Sequence, residues 1–208
     1  QENAMDSITP EFYRLRIANQ TINLSIDSTE TVTVKAAYPQ MSYKYEVEGS
    51  ENCNTIKELS LKQMLLQSNI NGIVKNPNIG VDSVDVIVAR MLNDYKQDIK
   101  RNYIFKAPMQ ASSYYALFQT IQLGNTNSLI FNPRNNKEDV KVFAAVATSW
   151  DTYYPGAERG KNLHNIAIEG MKDIRIIENQ MAQQKIDASK VQVNGCIELA
   201  LQDNQGQI

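Results

Sequence analysis

Asp139-Val-Lys-Val-Phe-Ala-Ala-Val-Ala-Thr-Ser-Trp150 is the stretch on which the reading of this chain turns. Its opening residues alternate, with Val140 and Val142 on one parity and Asp139 and Lys141 on the other. From Val142 to Ala147 it is apolar without a break. Alternation passing into a continuous apolar run predicts a central, buried β-strand. Such a strand would carry the segment that follows it, Asp151 to His164, to the end of a sheet.

With Ser149 and Trp150 before it, that loop gathers the only Trp, the only His, Tyr153, Tyr154, two acids and two bases. Pro155-Gly156 supplies a turn, and Gly160 a second point of backbone freedom. Aromatics beside arginine are the residue types that dominate protein recognition surfaces. The candidate ligand- or partner-binding residues are therefore Trp150, Asp151, Tyr153, Tyr154, Glu158, Arg159 and His164. The competing expectation is that Trp150 and Tyr153 cap the core while the charges stay solvated.

Working outward, the N-terminal residues alternate repeatedly. Phe12 to Ile17 and Thr21 to Ile26 read as two strands around a turn at Asn19-Gln20, followed by Thr31 to Lys35 and Tyr43 to Val47. Each has one apolar face, which predicts an antiparallel meander. Pro39 falls between the last two, outside any central ladder. At Asn52 the period changes. Thr55-Ile-Lys-Glu58 has the form of a capping box before a helix that runs to Gln67. Val84, Ile87, Val88, Met91, Leu92, Tyr95 and Ile99 recur at three- and four-residue steps, predicting a helix capped at Asp82 or Ser83. Phe118 to Leu123 and Ser128 to Phe131 read as a hairpin around Gly124-Asn-Thr-Asn127. Ile168 to Met181 repeats helically. Val191 to Gln202 alternates again and reads as a late strand kinked at Gly195.

The 208 residues carry a net charge of -2, with 42% hydrophobic and 21% charged residues. This is ordinary globular composition, and no global basic field exists to hold a polyanion. No apolar run reaches the ~18 residues that span a bilayer. The chain opens Gln1-Glu2-Asn3-Ala4-Met5. Read as the mature end left by a cleaved signal peptide, this predicts a secreted or periplasmic protein; with Met5 as the start, the protein is cytoplasmic. The two cysteines, Cys53 and Cys196, permit one disulfide in an exported protein and offer no zinc or CxxC spacing.

Catalytic signatures are absent from the sequence. His164 oriented by Asp151 or Glu158 has the makings of a general base, but no nucleophile motif accompanies it. Asp151 and Glu158 form a glycosidase-like pair only at a defined separation. No calcium loop occurs, and Gly156-x-x-x-Gly160-Lys161 lacks the P-loop spacing. The basic residues from Lys96 to Lys106 are interleaved with Asp94 and Asp98, so they make no uncompensated phosphate-binding patch. No cofactor or metal is expected.

The sequence thus predicts one α+β domain over residues 1–208, mostly antiparallel, with a β-rich N-terminal lobe at about 10–50, an α+β remainder at about 51–208 and about three packed helices. The function expected is an exported or cell-envelope-associated binding domain whose partner is a protein or envelope component rather than a small molecule or nucleic acid. The alternative is a hydrolase of a cell-envelope polymer using Asp151, Glu158 and His164.

Overall fold

A computed structural model describes residues 8–205 of the chain, with side chains described through residue 190. The fold is α+β: among the described residues five helices accompany three two-stranded antiparallel sheets, with 57% of residues helical and 16% in strands. Helix therefore takes a larger share than three helices would give.

Strands β1 (Glu11–Ile17) and β2 (Gln20–Ile26) pair in the register Glu11↔Ile26 to Ile17↔Gln20, turning at Ala18 and Asn19. Strands β3 (Thr33–Ala36) and β4 (Tyr45–Glu48) form a second ladder. These strands bury Ile22, Leu24, Met41, Tyr45 and Val47 around Cys53 from the first helix, which gives the N-terminal lobe its own small core. The Cys53 thiol is free and buried, donates to the Ser25 carbonyl at 3.0 Å and accepts from the Ser25 amide. It is a packed thiol; the permitted bridge to Cys196 falls on a side chain outside the described residues. Gly49 closes β4 with φ of +91°, and a Cβ there would lie 2.0 Å from the Thr31 carbonyl oxygen. Only glycine fits so close an approach at that backbone angle.

Helix α1 (Glu51–Val74) starts four residues before the expected capping box, because Ser50 rather than Thr55 accepts from the Cys53 amide. The Thr55 hydroxyl instead donates to the Glu51 carbonyl within the helix. Helix α2 (Val81–Ile99) follows the predicted apolar stripe and passes into a π-helical turn, Lys100–Ile104, marked by the bond from the Phe105 amide to the Lys100 carbonyl. The short helix α3 (Ala111–Leu117) is almost wholly buried. The expected hairpin forms as β5 (Thr120–Leu123) and β6 (Thr126–Leu129), with a tighter turn at Gly124-Asn125 that starts the return strand two residues earlier than the sequence predicts.

The Asp139–Trp150 stretch is not a strand. It lies inside helix α4 (Lys137–Tyr153), capped by the Asn136 side chain on the amides of Glu138 and Asp139, with both acids in the first turn. Its buried residues are Asp139, Val140, Val142, Phe143, Val146, Ala147 and Trp150. Steps of three and four through that set define one broad helical face, and the opening alternation is a coincidence of four residues. Asp139 belongs to this face because it is paired. Its Oδ2 accepts from Lys96 Nζ at 2.6 Å and from the Asn132 amide at 2.8 Å.

Helix α5 (Glu158–Gln205) also overturns an expectation, since the backbone stays helical through the predicted late strand at Val191 to Gln202. No proline occurs after Pro155, and hence nothing in that span forces a break. Antiparallel to α4, α5 buries Leu163, Ala167, Gly170 and Ile174 against it. A Cβ on Gly170 would lie 2.6 Å from the Pro133 carbonyl oxygen, so this glycine sets how near the helix comes to the 132–134 loop. Among the described residues no helix is long and apolar enough to cross a membrane.

Candidate functional site

The candidate residues occupy the elbow between α4 and α5. Helix α4 ends as the Tyr154 amide bonds the Trp150 carbonyl at 2.7 Å, and Gly156, with φ of +83°, reverses the chain. The expected long loop is thus a short turn between two helices, which holds its side chains on helical backbone.

Two candidates point inward. Trp150 is fully buried, with its ring 4.9 Å from Tyr114 and 5.0 Å from Tyr154, centre to centre. Its indole nitrogen has no hydrogen-bond partner among the described residues. Arg159 reaches back to the first strand, where Nη2 donates to Glu11 Oε2 at 2.8 Å and the guanidinium lies 4.9 Å from the centre of the Phe12 ring. Burial alone would lower its pKa, but the hydrogen bonds and charges of Glu11 and Tyr114 outweigh burial and raise it. Arg159 therefore acts as a clasp between α5 and β1. Tyr154 is half-buried, and burial, followed by the charge of Asp27, pushes its phenol upward.

The remaining candidates face water. Asp151 Oδ2 is hydrogen-bonded to His164 Nε2 across the elbow. Glu158 is drawn off this pair by Lys161 Nζ at 2.8 Å, one turn along α5. Tyr153 stands 57% exposed. The structure thus brings Asp151 and His164 together and leaves Glu158 with a lysine. An imidazole oriented by a carboxylate needs a nucleophile or a bound water in a cleft to do chemistry. The hydroxyls of Thr148 and Thr152 instead donate back along α4, to the carbonyls of Ala144 and Thr148. No group of three or more acidic, His or Cys side chains placed to hold a metal occurs among the described residues.

Two features escaped the sequence reading. The first is the outer part of α5: every residue from 178 to 190 is exposed, including Met181 at 58% and Ile186 at 48%. The unbroken run without proline was its signal, masked by the alternation after Val191. The second is a polar cavity of about 400 Å³ between the start of α1, the π-helical turn and the start of α3. Its residues are scattered from Glu51 to Ser112, and no local spacing announces it.

No known family matches the chain, and no characterised protein or solved structure matches it either.

Proposed function

We propose that this protein is a non-enzymatic interaction domain. The globular part, up to α4 and the first five turns of α5, serves as a base for the outer part of α5, which docks along a second copy of the chain. The observation that carries this reading is the uncovered helix. At 1.5 Å per residue, residues 179–205 extend about 40 Å beyond the Lys137–Glu178 ion pair that marks the start of α4. Helices in proteins owe most of their stability to packing of one face, and the described part of this segment packs against nothing.

Charge supports a like partner. Between residues 178 and 190 the acids Glu178 and Asp187 balance Lys185 and Lys190, so two copies of the segment do not repel. Covering the exposed halves of Met181 and Ile186 stabilises by roughly 1 kcal/mol each. That gain is modest and makes association dependent on concentration. The exported or envelope-associated setting is a separate proposal, and the elbow residues Asp151, Tyr153 and His164 are a second contact surface under the same reading.

Light scattering across a concentration series tests the proposal. The full chain should approach twice the monomer mass as concentration rises, and Met181→Asp with Ile186→Asp should hold it at the monomer mass, with a melting temperature that matches the wild type at low concentration. A full chain that stays monomeric throughout, or a double variant that associates like the wild type, contradicts it.

The hydrolase reading draws on the Asp151–His164 hydrogen bond, but it requires Glu158 in the same cleft, and Glu158 is held by Lys161. Hydrolysis of an envelope polymer abolished by His164→Ala would revive it.

A further inference from the structure

The polar cavity beside the π-helical turn is built differently from the rest of the surface. An α-helix that takes an extra residue into one turn gives up regular hydrogen bonding, and such turns concentrate at functional sites. Here the bulge swings Tyr103 toward α1, where its hydroxyl donates to Glu58 Oε1. Burial, followed by the hydrogen bond and charge of Glu58, pushes the Tyr103 phenol up, so it remains a donor at neutral pH. On the opposite rim the Asn52 side chain donates to Gln110 Oε1 at 2.8 Å and accepts from the Ser112 amide at 3.1 Å. Four wall groups are thereby fixed before any ligand arrives, which is the preorganisation a binding site needs.

Other groups around the same space are left over. Glu51 and Lys106 line the cavity and form no ion pair among the described residues. The second carboxylate oxygen of Glu58 and the amide nitrogen of Gln110 likewise have no hydrogen-bond partner there. The volume falls within the range of small-molecule sites, about 300–1,000 Å³. Two carboxylates against one lysine favour a cation. Side-chain amides carry both donors and acceptors, which suits neighbouring hydroxyls that also do both.

We infer that this cavity binds a small amine-bearing saccharide, with its ammonium on Glu58 and its hydroxyls on Glu51, two helical turns away, and on Asn52, Gln110 and Lys106. The site is independent of the α5 docking surface and takes no residue from α5. Because the cavity is open to water, binding is weak, with a Kd on the order of 1 mM.

Saturation-transfer NMR and calorimetric titration of the full chain test the inference, with glucosamine, glucose and ethanolamine as probes. Glucosamine should bind, with glucose and ethanolamine each roughly tenfold weaker, because a charge-assisted hydrogen bond or the hydroxyl contacts are lost. Glu58→Gln should weaken glucosamine roughly tenfold, and Lys141→Ala, remote from the cavity, should leave it unchanged. If Glu58→Gln lowers the melting temperature, Glu51→Gln, which loses a charge-assisted hydroxyl contact, should still weaken glucosamine measurably without disturbing the Tyr103 bond. The inference is overturned by no glucosamine binding at about ten times the expected Kd. It is equally overturned by ethanolamine binding as tightly as glucosamine, or by both glutamine variants binding like the wild type.

Discussion

Replacing Trp150 with Ala is the sharpest perturbation of the reinterpreted segment. If α4 is a helix with Trp150 on its inner face, the side chain leaves a void bordered by Tyr114 and Tyr154, whose rings lie 4.9 Å and 5.0 Å from it. Truncating a buried Trp to Ala costs about 3–5 kcal/mol through lost burial and the residual cavity. No hydrogen bond adds to that cost, since the indole nitrogen has no partner among the described residues. For a chain of this length each kcal/mol lowers Tm by about 2–4 °C, so the drop should be roughly 6–20 °C. Trp150→Phe, which keeps much of the volume, should cost less than half as much. Urea denaturation followed by circular dichroism measures both variants. The only Trp also reports on itself, and its native fluorescence should be blue-shifted and poorly quenched by iodide. A loss below about 1 kcal/mol, the usual result for an exposed site, would refute the placement.

Three further outcomes follow from the same packing. Asp139→Ala leaves the Lys96 ammonium, 15% exposed, without its carboxylate and should cost about 3–5 kcal/mol by urea denaturation, while Asp139→Leu with Lys96→Met should be the milder change. Gly49→Ala forces a Cβ against the Thr31 carbonyl at positive φ and should cost about 2–5 kcal/mol, whereas Gly72→Ala, inside α1 with open space around it, should stabilise by up to about 1 kcal/mol. Burial works against the Asp98 carboxylate, but hydrogen bonds from Lys62 and Asn102 outweigh it and hold its pKa below the ordinary value. Its contribution is therefore complete above the unfolded carboxylate's range, about pH 4, and is lost as pH falls through the lower folded value. With its side chain 36% exposed, solvent screening keeps that contribution under about 1 kcal/mol, and Asp98→Asn should lower the urea midpoint slightly near neutrality, leave it unmoved at the lowest pH and so flatten the acid limb.

The parts of this fold legible in the sequence are those where one face is wet. In the β1–β2 hairpin Ile22 and Leu24 are buried between polar neighbours, and period two is the only pattern that fits. Helix α2 is equally plain because its outer face carries charges at every turn. Helix α4 reads as a strand because its middle, Val142 to Ala147, is apolar on every side, so polarity marks no face there. Val140 and Val142 satisfy period two, while Val140, Phe143, Val146, Ala147 and Trp150 satisfy the helical period. Periodicity does not separate the two in a fully apolar run, and length then decides. Twelve residues behind an Asn cap, with Glu138 and Asp139 in the first turn and three alanines within, carry the marks of a helix. At the site, composition located the elbow, but burial depends on tertiary neighbours. Nothing local distinguishes Trp150, which packs inward, from Tyr153, which does not. The Arg159–Glu11 clasp and the Tyr103–Glu58 contact join residues far apart in sequence, and their pairing exists only in the folded chain.

The account stands on helix α5 continuing as a rigid arm beyond the globular base. Spin labels at Lys161→Cys and Lys190→Cys, with Cys196→Ser and the buried Cys53 retained, measure that by double electron–electron resonance. An unbroken helix at 1.5 Å per residue predicts a single narrow distance near 43 Å, roughly, between the backbones. A broad distribution, or a peak well short of that length, would mean the helix breaks or folds back and would remove the docking arm.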